Sequence, residues 1–170
     1  MILTTQRLVL RPMEQADASA LFAILGDVGA MRYWHRPAIA RLEVVEEMVR
    51  EQIAAHDICR YWTAWRGEDA IGSCDISLID WAQAQAETGF LFRRDQWGFG
   101  LAQEAMAAVI DHAFETLELE LLIAKTHEGN LAARRVLEKL GFKLDGIAGN
   151  YAPAPGIKMD CALYLLRRPE

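Results

Sequence analysis

The 170-residue sequence is short of the features that mark several large protein classes. It has three cysteines, Cys59, Cys74 and Cys161, odd in number and unclustered, a pattern of buried thiols in a reducing cytoplasm and not of a disulfide framework or metal site. The histidines His35, His56, His112 and His127 are equally scattered, so no metal is expected. No apolar run approaches the ~18–20 residues of a membrane span, and no basic-then-apolar signal follows Met1. Basic excess is missing too: the net charge of −6 argues against a nucleic-acid partner and steers only cations. Internal repeats, low-complexity tracts and linkers are absent, so residues 1–170 are expected to form a single domain. What remains is an ordinary globular balance, 52% hydrophobic and 25% charged, long enough for a substantial core.

The stretch around which the chain is organised is Gln96-Trp97-Gly98-Phe99-Gly100-Leu101-Ala102. Glu87-Thr88-Gly89-Phe90-Leu91-Phe92 before it reads as a buried strand. After it, Ala102, Ala105, Met106, Val109, Ile110, Ala113 and Phe114 recur at helical spacing, predicting a helix from about Leu101 to Leu117. A strand turning through a glycine loop into a helix aims free backbone N–H groups and the positive end of the helix dipole at one place. Such a site suits an anion, a pyrophosphate above all, and Gly98 and Gly100 remove the β-carbons that would keep it away. On the glycines alone, a plain turn and a phosphate cradle stand level.

Around this stretch, Arg7–Pro12 alternates charged and apolar residues and reads as an edge strand. Asp17 is placed to cap a helix over Ala18–Leu25. A second helix is expected over Arg41–Ala55, with Leu42, Val45, Met48, Val49 and Ile53 on one face. Arg60–Trp65 and Ala70–Leu78 form a hairpin about a polar turn at Arg66–Asp69, and Trp81–Gln85 is a polar loop. Leu119–Thr126 is an apolar strand. A further helix begins near Asn130 and stops at Gly141, and two last strands, Phe142–Ile147 and Met159–Leu166, are joined by a loop at Ala152–Gly156.

Trp97-Gly98-Phe99-Gly100-Leu101-Ala102 resembles the acyl-CoA loop of the GCN5-related N-acetyltransferases (GNAT), Gln/Arg-x-x-Gly-x-Gly/Ala, with Trp97 read at the Gln/Arg position. With Glu104-Ala105 following, it is similar to the branch containing the ribosomal-protein N-acetyltransferases. Thr4–Pro12 resembles that branch's first strand. Asn130-Leu131-Ala132-Ala133 through Leu137-Glu138-Lys139-Leu140-Gly141-Phe142 resembles the family's second signature, and Asp160 before Tyr164 its closing strand. The resemblance covers nearly the whole chain in order.

The resemblance implies an α/β (α+β) GNAT fold: a mixed, mostly antiparallel sheet of about seven strands flanked by about four helices. It implies acetyl-CoA as acetyl donor, no metal, and direct transfer to a primary amine. The backbone of Trp97, Gly98, Phe99, Gly100, Leu101 and Ala102 would hold the pyrophosphate, with Asn130 also on the cofactor. Leu91, Phe92 and Arg93 would pair with the pantetheine arm and supply the N–H that polarises the thioester. Arg134 or Arg135 is a candidate for the nucleotide phosphates. Glu87 matches a glutamate that some members use to deprotonate the amine, and a structural glutamate is the competing assignment. Glu14, Asp75 and Glu128 are weaker candidates, read as solvated charges. Arg32, Tyr33, Trp34 and His35 are candidates for the acceptor groove. The tyrosine or serine that relatives use to protonate the thiolate is replaced by Leu137 and Ala133, leaving Asn130, Tyr151 or water. The acceptor implied is a protein or peptide N-terminus. A small-molecule amine and a catalytically idle acyl-CoA-binding domain are the alternatives. A cytoplasmic monomer or homodimer, without nucleic-acid or membrane partners, completes the expectation.

Overall fold

Eight strands form one sheet in the order β1-β2-β3-β4-β5-β6-β8-β7. The structure is a computed structural model; it describes residues 1–34, 36–154 and 157–169, and the side chains of these except 150–154 and 157–159. In chain order the elements are β1 (Leu3–Thr4), β2 (Val9–Pro12), α1 (Ala18–Leu25), α2 (Leu42–Ala54), β3 (Arg60–Arg66), β4 (Asp69–Asp80) and β5 (Gln85–Phe92). Then follow α3 (Leu101–Asp111), β6 (Leu121–His127), α4 (Leu131–Lys139), β7 (Lys143–Ala154) and β8 (Ile157–Arg167). The neighbouring strands are antiparallel except β5 and β6, which run parallel.

Two apolar clusters cover the two faces of the sheet. Along β5, Phe92 belongs to one cluster and its neighbour Leu91 to the other, as the pleat requires of adjacent residues. The Phe92 side packs under α3, whose Leu101, Ala105, Met106 and Val109 are buried at helical spacing, and reaches Leu137 of α4. The Leu91 side is closed by Leu21, Ile24 and Leu25 of α1 and Val45 and Val49 of α2. Burying such aliphatic side chains contributes about 1.5–3 kcal/mol each, so this two-sided packing fixes which faces of β5 the site can use.

Several local expectations are corrected. Asp17 starts α1, but its side chain does not cap that helix. Its Oδ2 accepts from the Glu14 N–H at 3.0 Å and from the Thr63 hydroxyl at 2.7 Å, closing the preceding 3-10 turn and pinning it to β3. β2 is not an edge, because the two-residue strand β1 pairs with it through Leu3↔Leu10 and Thr4↔Val9. The helix expected to Leu117 ends at Asp111 and continues as a π-helical turn over His112–Thr116. The last two strands extend through most of the expected loop, to Ala154 and from Ile157, and the remaining Pro155 and Gly156 lie outside the described residues. The α4 stop is as expected: Gly141 has φ of 93° and donates to Glu138 O, while the Phe142 N–H donates to Leu137 O at 3.1 Å. That closure, with Phe142 and Leu137 both buried, points α4 back at the sheet.

Candidate active site

The parallel junction of β5 and β6 is short. Gln85–Glu87 pair with Leu121–Ile123, after which the two strands part. The β5 edge left beyond Glu87 can be read residue by residue. Arg93 N–H donates to Ile71 O at 2.8 Å, and the β4–β5 register is unbroken from Gly72↔Phe92 to Ser77↔Glu87. By alternation, Gly89 and Leu91 turn their N–H and C=O to β4, whereas Phe90 and Phe92 turn theirs to the gap. Of the three residues expected at the donor arm, Phe92 alone aims its N–H there; Leu91 and Arg93 are engaged with β4, and Phe90 takes the second place. The Phe92 carbonyl already accepts from Trp97 Nε1 at 2.8 Å.

A loop closes the end of this gap. Gly98 and Gly100 have φ of 82° and 75°, a left-handed backbone that side chains with a β-carbon rarely adopt. A β-carbon on Gly98 would meet nothing within 4 Å, and one on Gly100 only Arg7 Nη2 at 3.7 Å. Protein crowding therefore does not require these glycines; the turn does, and it leaves open space above them. Gly100 is the N-cap of α3, and the first helical bond seen there runs from Glu104 N–H to Gly100 O. The N–H groups of Leu101, Ala102 and Gln103 thus stand at the helix start without intrahelical acceptors. Phe99 (61% exposed) and Trp97 (48%) flank Gly98 on the surface. Counted back from Gly98, the Gln/Arg position of the loop pattern falls on Asp95 and not Trp97. Asp95 accepts from Arg93 Nε at 2.7 Å, which holds its carboxyl below the usual range and offsets its charge beside the loop.

Where the strands part lies a cavity of about 380 Å³. Asp75 and Ser77 come from β4, Glu87 to Phe90 from β5, Ala124 to His127 from β6, Asn130, Ala133 and Leu137 from the start of α4, and Tyr33 and Trp34 from the segment after α1. Glu87 lies within it, half-buried and ion-paired to Lys125. Asn130 caps α4 through its Oδ1, which accepts from the Ala133 N–H at 3.2 Å. His127 accepts the Gly129 N–H on Nδ1 at 2.9 Å, so the neutral ring carries its proton on Nε2. Its ring centroid lies 5.3 Å from that of Tyr33.

Other expected residues divide. Tyr33 and Trp34 line the cavity, Arg32 sits over the Tyr33 ring instead, and His35 lies outside the described residues. So does the Tyr151 side chain, a candidate thiolate acid. Glu14 is outside the cavity at the 3-10 turn, and Glu128 is not among the residues that line it; the Glu128 backbone carbonyl accepts from Arg134. Arg134 also donates to the Tyr164 hydroxyl at 2.9 Å, which in turn donates to Glu138, so it braces α4 against β8. Arg135 is exposed.

Asp75, expected as a solvated charge, is the principal correction. It faces Tyr61 on β3 and Gly89 on β5 as cross-strand partners. Burial pushes its carboxyl up to about 6, with the Glu87 charge adding to the rise and the Ser77 hydroxyl opposing it. The sequence signal that was available is the Asp-x-Ser alternation on one face of β4, opposite a strand glycine.

A family model described as the acetyltransferase (GNAT) domain matches residues 7–143. The chain belongs to the GNAT acetyltransferases. The "Uncharacterized N-acetyltransferase p20" of Bacillus licheniformis is 29% identical over 175 residues, covering 99% of this chain and 97% of that protein. The spermidine N(1)-acetyltransferase of Escherichia coli K12 is 26% identical over 137 residues, 81% of this chain and 73% of its own. The ribosomal L7/L12 alpha-N-protein acetyltransferase RimL, solved with coenzyme A, superposes with a TM-score of 0.89 at 17% identity, over 98% of each chain. That last likeness is one of fold. In this acetyltransferase the parted strands, the glycine loop and the carboxylate-lined cavity are contiguous.

Proposed function

We propose that this acetyltransferase moves the acetyl group of acetyl-CoA directly onto a primary amine whose nitrogen enters the cavity between β5 and β6. One observation carries the reading. A strand edge left open at Phe90 and at the Phe92 N–H lies between a helix-start N–H cluster and a cavity lined by Asp75 and Glu87, which suits a long donor with phosphates at one end and a thioester at the other. The N–H groups from Gly98 to Ala102 would hold the pyrophosphate. The gap-facing groups of Phe90 would pair with the amide-bearing arm, and the Phe92 N–H would stabilise the oxyanion of the tetrahedral adduct. Glu87, held by Lys125, and Asp75 are the two cavity carboxylates that could relieve the amine of its proton. Ala133 and Leu137 offer the departing sulfur no proton. A thiolate of pKa about 8.5 leaves without one, at reduced rate. The three cysteines are free and buried, which fits a cytoplasmic setting.

For the acceptor, the N-terminal amine of a protein is the first reading, supported by likeness to RimL along the full chain. A polyamine is the second, favoured by the small size and acidic lining of the cavity and by the kinship with the spermidine enzyme. Free-thiol release from acetyl-CoA, measured against peptides with free N-termini and against spermidine, separates them. Turnover with a peptide amine at a kcat/KM about tenfold or more above spermidine is expected. Preference for spermidine selects the second reading, and acetyl-CoA binding without thiol release for any amine would leave an acyl-CoA binder.

A further inference from the structure

We propose that Asp75, and not Glu87, receives the acceptor's ammonium and takes its proton. This rests on the transferase reading above and names the proton acceptor within it. The two oxygens of the Asp75 carboxylate differ. Oδ2 accepts from the Ser77 hydroxyl at 2.8 Å, whereas Oδ1 has no hydrogen-bond partner among the described residues. Asp75 lines the cavity, and Oδ1 is not among the sealed polar atoms that lack a partner, so it opens to the space in which an amine would sit. A second observation comes from β5. A β-carbon on Gly89 would lie 3.1 Å from Asp75 Oδ1, a contact tight enough that the carboxylate would have to shift by a few tenths of an ångström. The φ of Gly89 is not in the left-handed region, so backbone conformation does not call for glycine there. The room that glycine gives to Oδ1 does.

Glu87 is placed differently. Its Oε1 is bonded to Lys125, so its charge is largely matched before any substrate arrives. An ammonium bound there would compete with a lysine already in place. Beside Asp75 stand Tyr61, whose phenol is held neutral by burial, and Cys74, whose thiol is likewise raised by burial, while Tyr33, Lys125, His127 and Cys161 line the same cavity. Lys125 is the fixed cation among them, and it is ion-paired to Glu87 and not to Asp75. Asp75 is thus an uncompensated carboxylate in a cavity, the arrangement that attracts one positive charge and favours its proton transfer. Its raised affinity for protons lies between that of an ordinary carboxylate and neutrality, which suits uptake from an amine and release to solvent.

The step balances. One N–H proton of the ammonium passes to Oδ1, and the freed lone pair forms the C–N bond at the thioester carbonyl. As the adduct collapses the C–S bond breaks, and a second N–H proton leaves the nitrogen for the thiolate. The third stays in the amide, and Asp75 returns its proton to water.

The test is the pH profile of kcat/KM for wild type, Asp75→Asn, Glu87→Gln and Gly89→Ala, with acetyl-CoA thermal shifts on each. Wild type should show an acid limb near pH 6. Asp75→Asn should lose about 100-fold or more at pH 7, lose that limb, and recover only as pH approaches the amine's own pKa, with its acetyl-CoA shift retained. Glu87→Gln should keep the limb. Gly89→Ala should lose about tenfold, and the Asp75→Asn/Gly89→Ala pair should be no worse than Asp75→Asn alone, since both act on one oxygen. Should Asp75→Asn not fold, Gly89→Ala decides: wild-type rate and limb there overturn the proposal. An Asp75→Asn enzyme within about threefold of wild type, or loss of the limb in Glu87→Gln instead, overturns it while the transferase reading stands. A wild-type protein that releases no thiol with any amine overturns that reading and this one together.

Discussion

Glu104 in the first turn of α3 binds Arg7 twice, accepting the Arg7 backbone N–H on Oε1 at 2.7 Å and the guanidinium Nε on Oε2 at 2.6 Å. Its Oε1 also accepts from the Thr5 hydroxyl at 2.6 Å, and Arg7 Nη1 donates to Phe99 O at 3.0 Å. The turn between β1 and β2 is thereby fastened to the glycine loop. Glu104→Ala should cost about 1–3 kcal/mol, the range for removing a charged acceptor from several donors. A Tm lower by roughly 3–8 °C is expected in a chain of this length. Acetyl-CoA should bind about tenfold more weakly by calorimetry, because the loop loses its strut. An unchanged Tm and affinity would show that the fastening contributes nothing.

Gly98 and Gly100 should be intolerant of a side chain for conformational reasons before any ligand is considered. Alanine at either should cost about 1–2 kcal/mol of left-handed strain. Gly100→Val should in addition abolish the rise in Tm that acetyl-CoA gives wild type, since a branched side chain would stand over the helix-start N–H groups. If the valine variant keeps the full acetyl-CoA shift, the loop is a turn and no more.

The two arginines of α4 should separate. Arg134→Ala should lower Tm, because it removes the bond to Tyr164 that braces α4. Arg135→Ala should leave Tm within about 1 °C, as exposed substitutions do, and weaken CoA more than 3′-dephospho-CoA. Equal weakening for both ligands would remove Arg135 from any contact with the 3′-phosphate.

Asp75 also has a stability signature whose sign is fixed by its raised carboxyl. Relative to an unfolded carboxyl near 3.9, a folded value of about 6 means the folded protein binds the proton more tightly. The buried charge therefore destabilises the fold fully above pH about 6, and this cost disappears as pH falls below about 4. Asp75→Asn should accordingly be more stable than wild type at pH 7, by on the order of 2–3 kcal/mol. The advantage should shrink towards zero at pH 4. Thermal melts of the two proteins across that range check it, and a constant difference would mean that Asp75 titrates normally.

The helices and the glycine loop were legible because their signals are local. Ala105, Met106 and Val109 are spaced by the helix itself, and the left-handed Gly141 stops α4 by letting the Phe142 N–H reach back to Leu137 O, five residues away. β1 escaped because two residues carry no periodicity. The Arg7–Glu104 fastening joins positions 97 residues apart, and no pattern in sequence encodes such a pair. The role of Asp75 is hidden in the sequence for a related reason. An acid in a strand of alternating polarity reads as facing water, and only the β3–β4–β5 register shows that its outward face is a cavity floor. Helix α3 was overrun by one turn because His112, Ala113 and Phe114 keep the apolar rhythm while the backbone widens to a π-helical turn.

The short junction of β5 and β6 has a mechanical consequence. The sheet is two panels, β1–β5 and β6–β8, hinged along Gln85–Glu87 and Leu121–Ile123. A donor lying in the gap would act as a ninth strand on the first panel, and its arrival would change how the molecule unfolds as well as how much stability it has. Amide hydrogen exchange at Phe90 and Phe92 should slow on acetyl-CoA binding, out of proportion to neighbours that already face β4. The two panels already share the apolar cluster beneath α3, and the donor would add backbone bonds to that shared packing, so their separation should become more costly when it is bound.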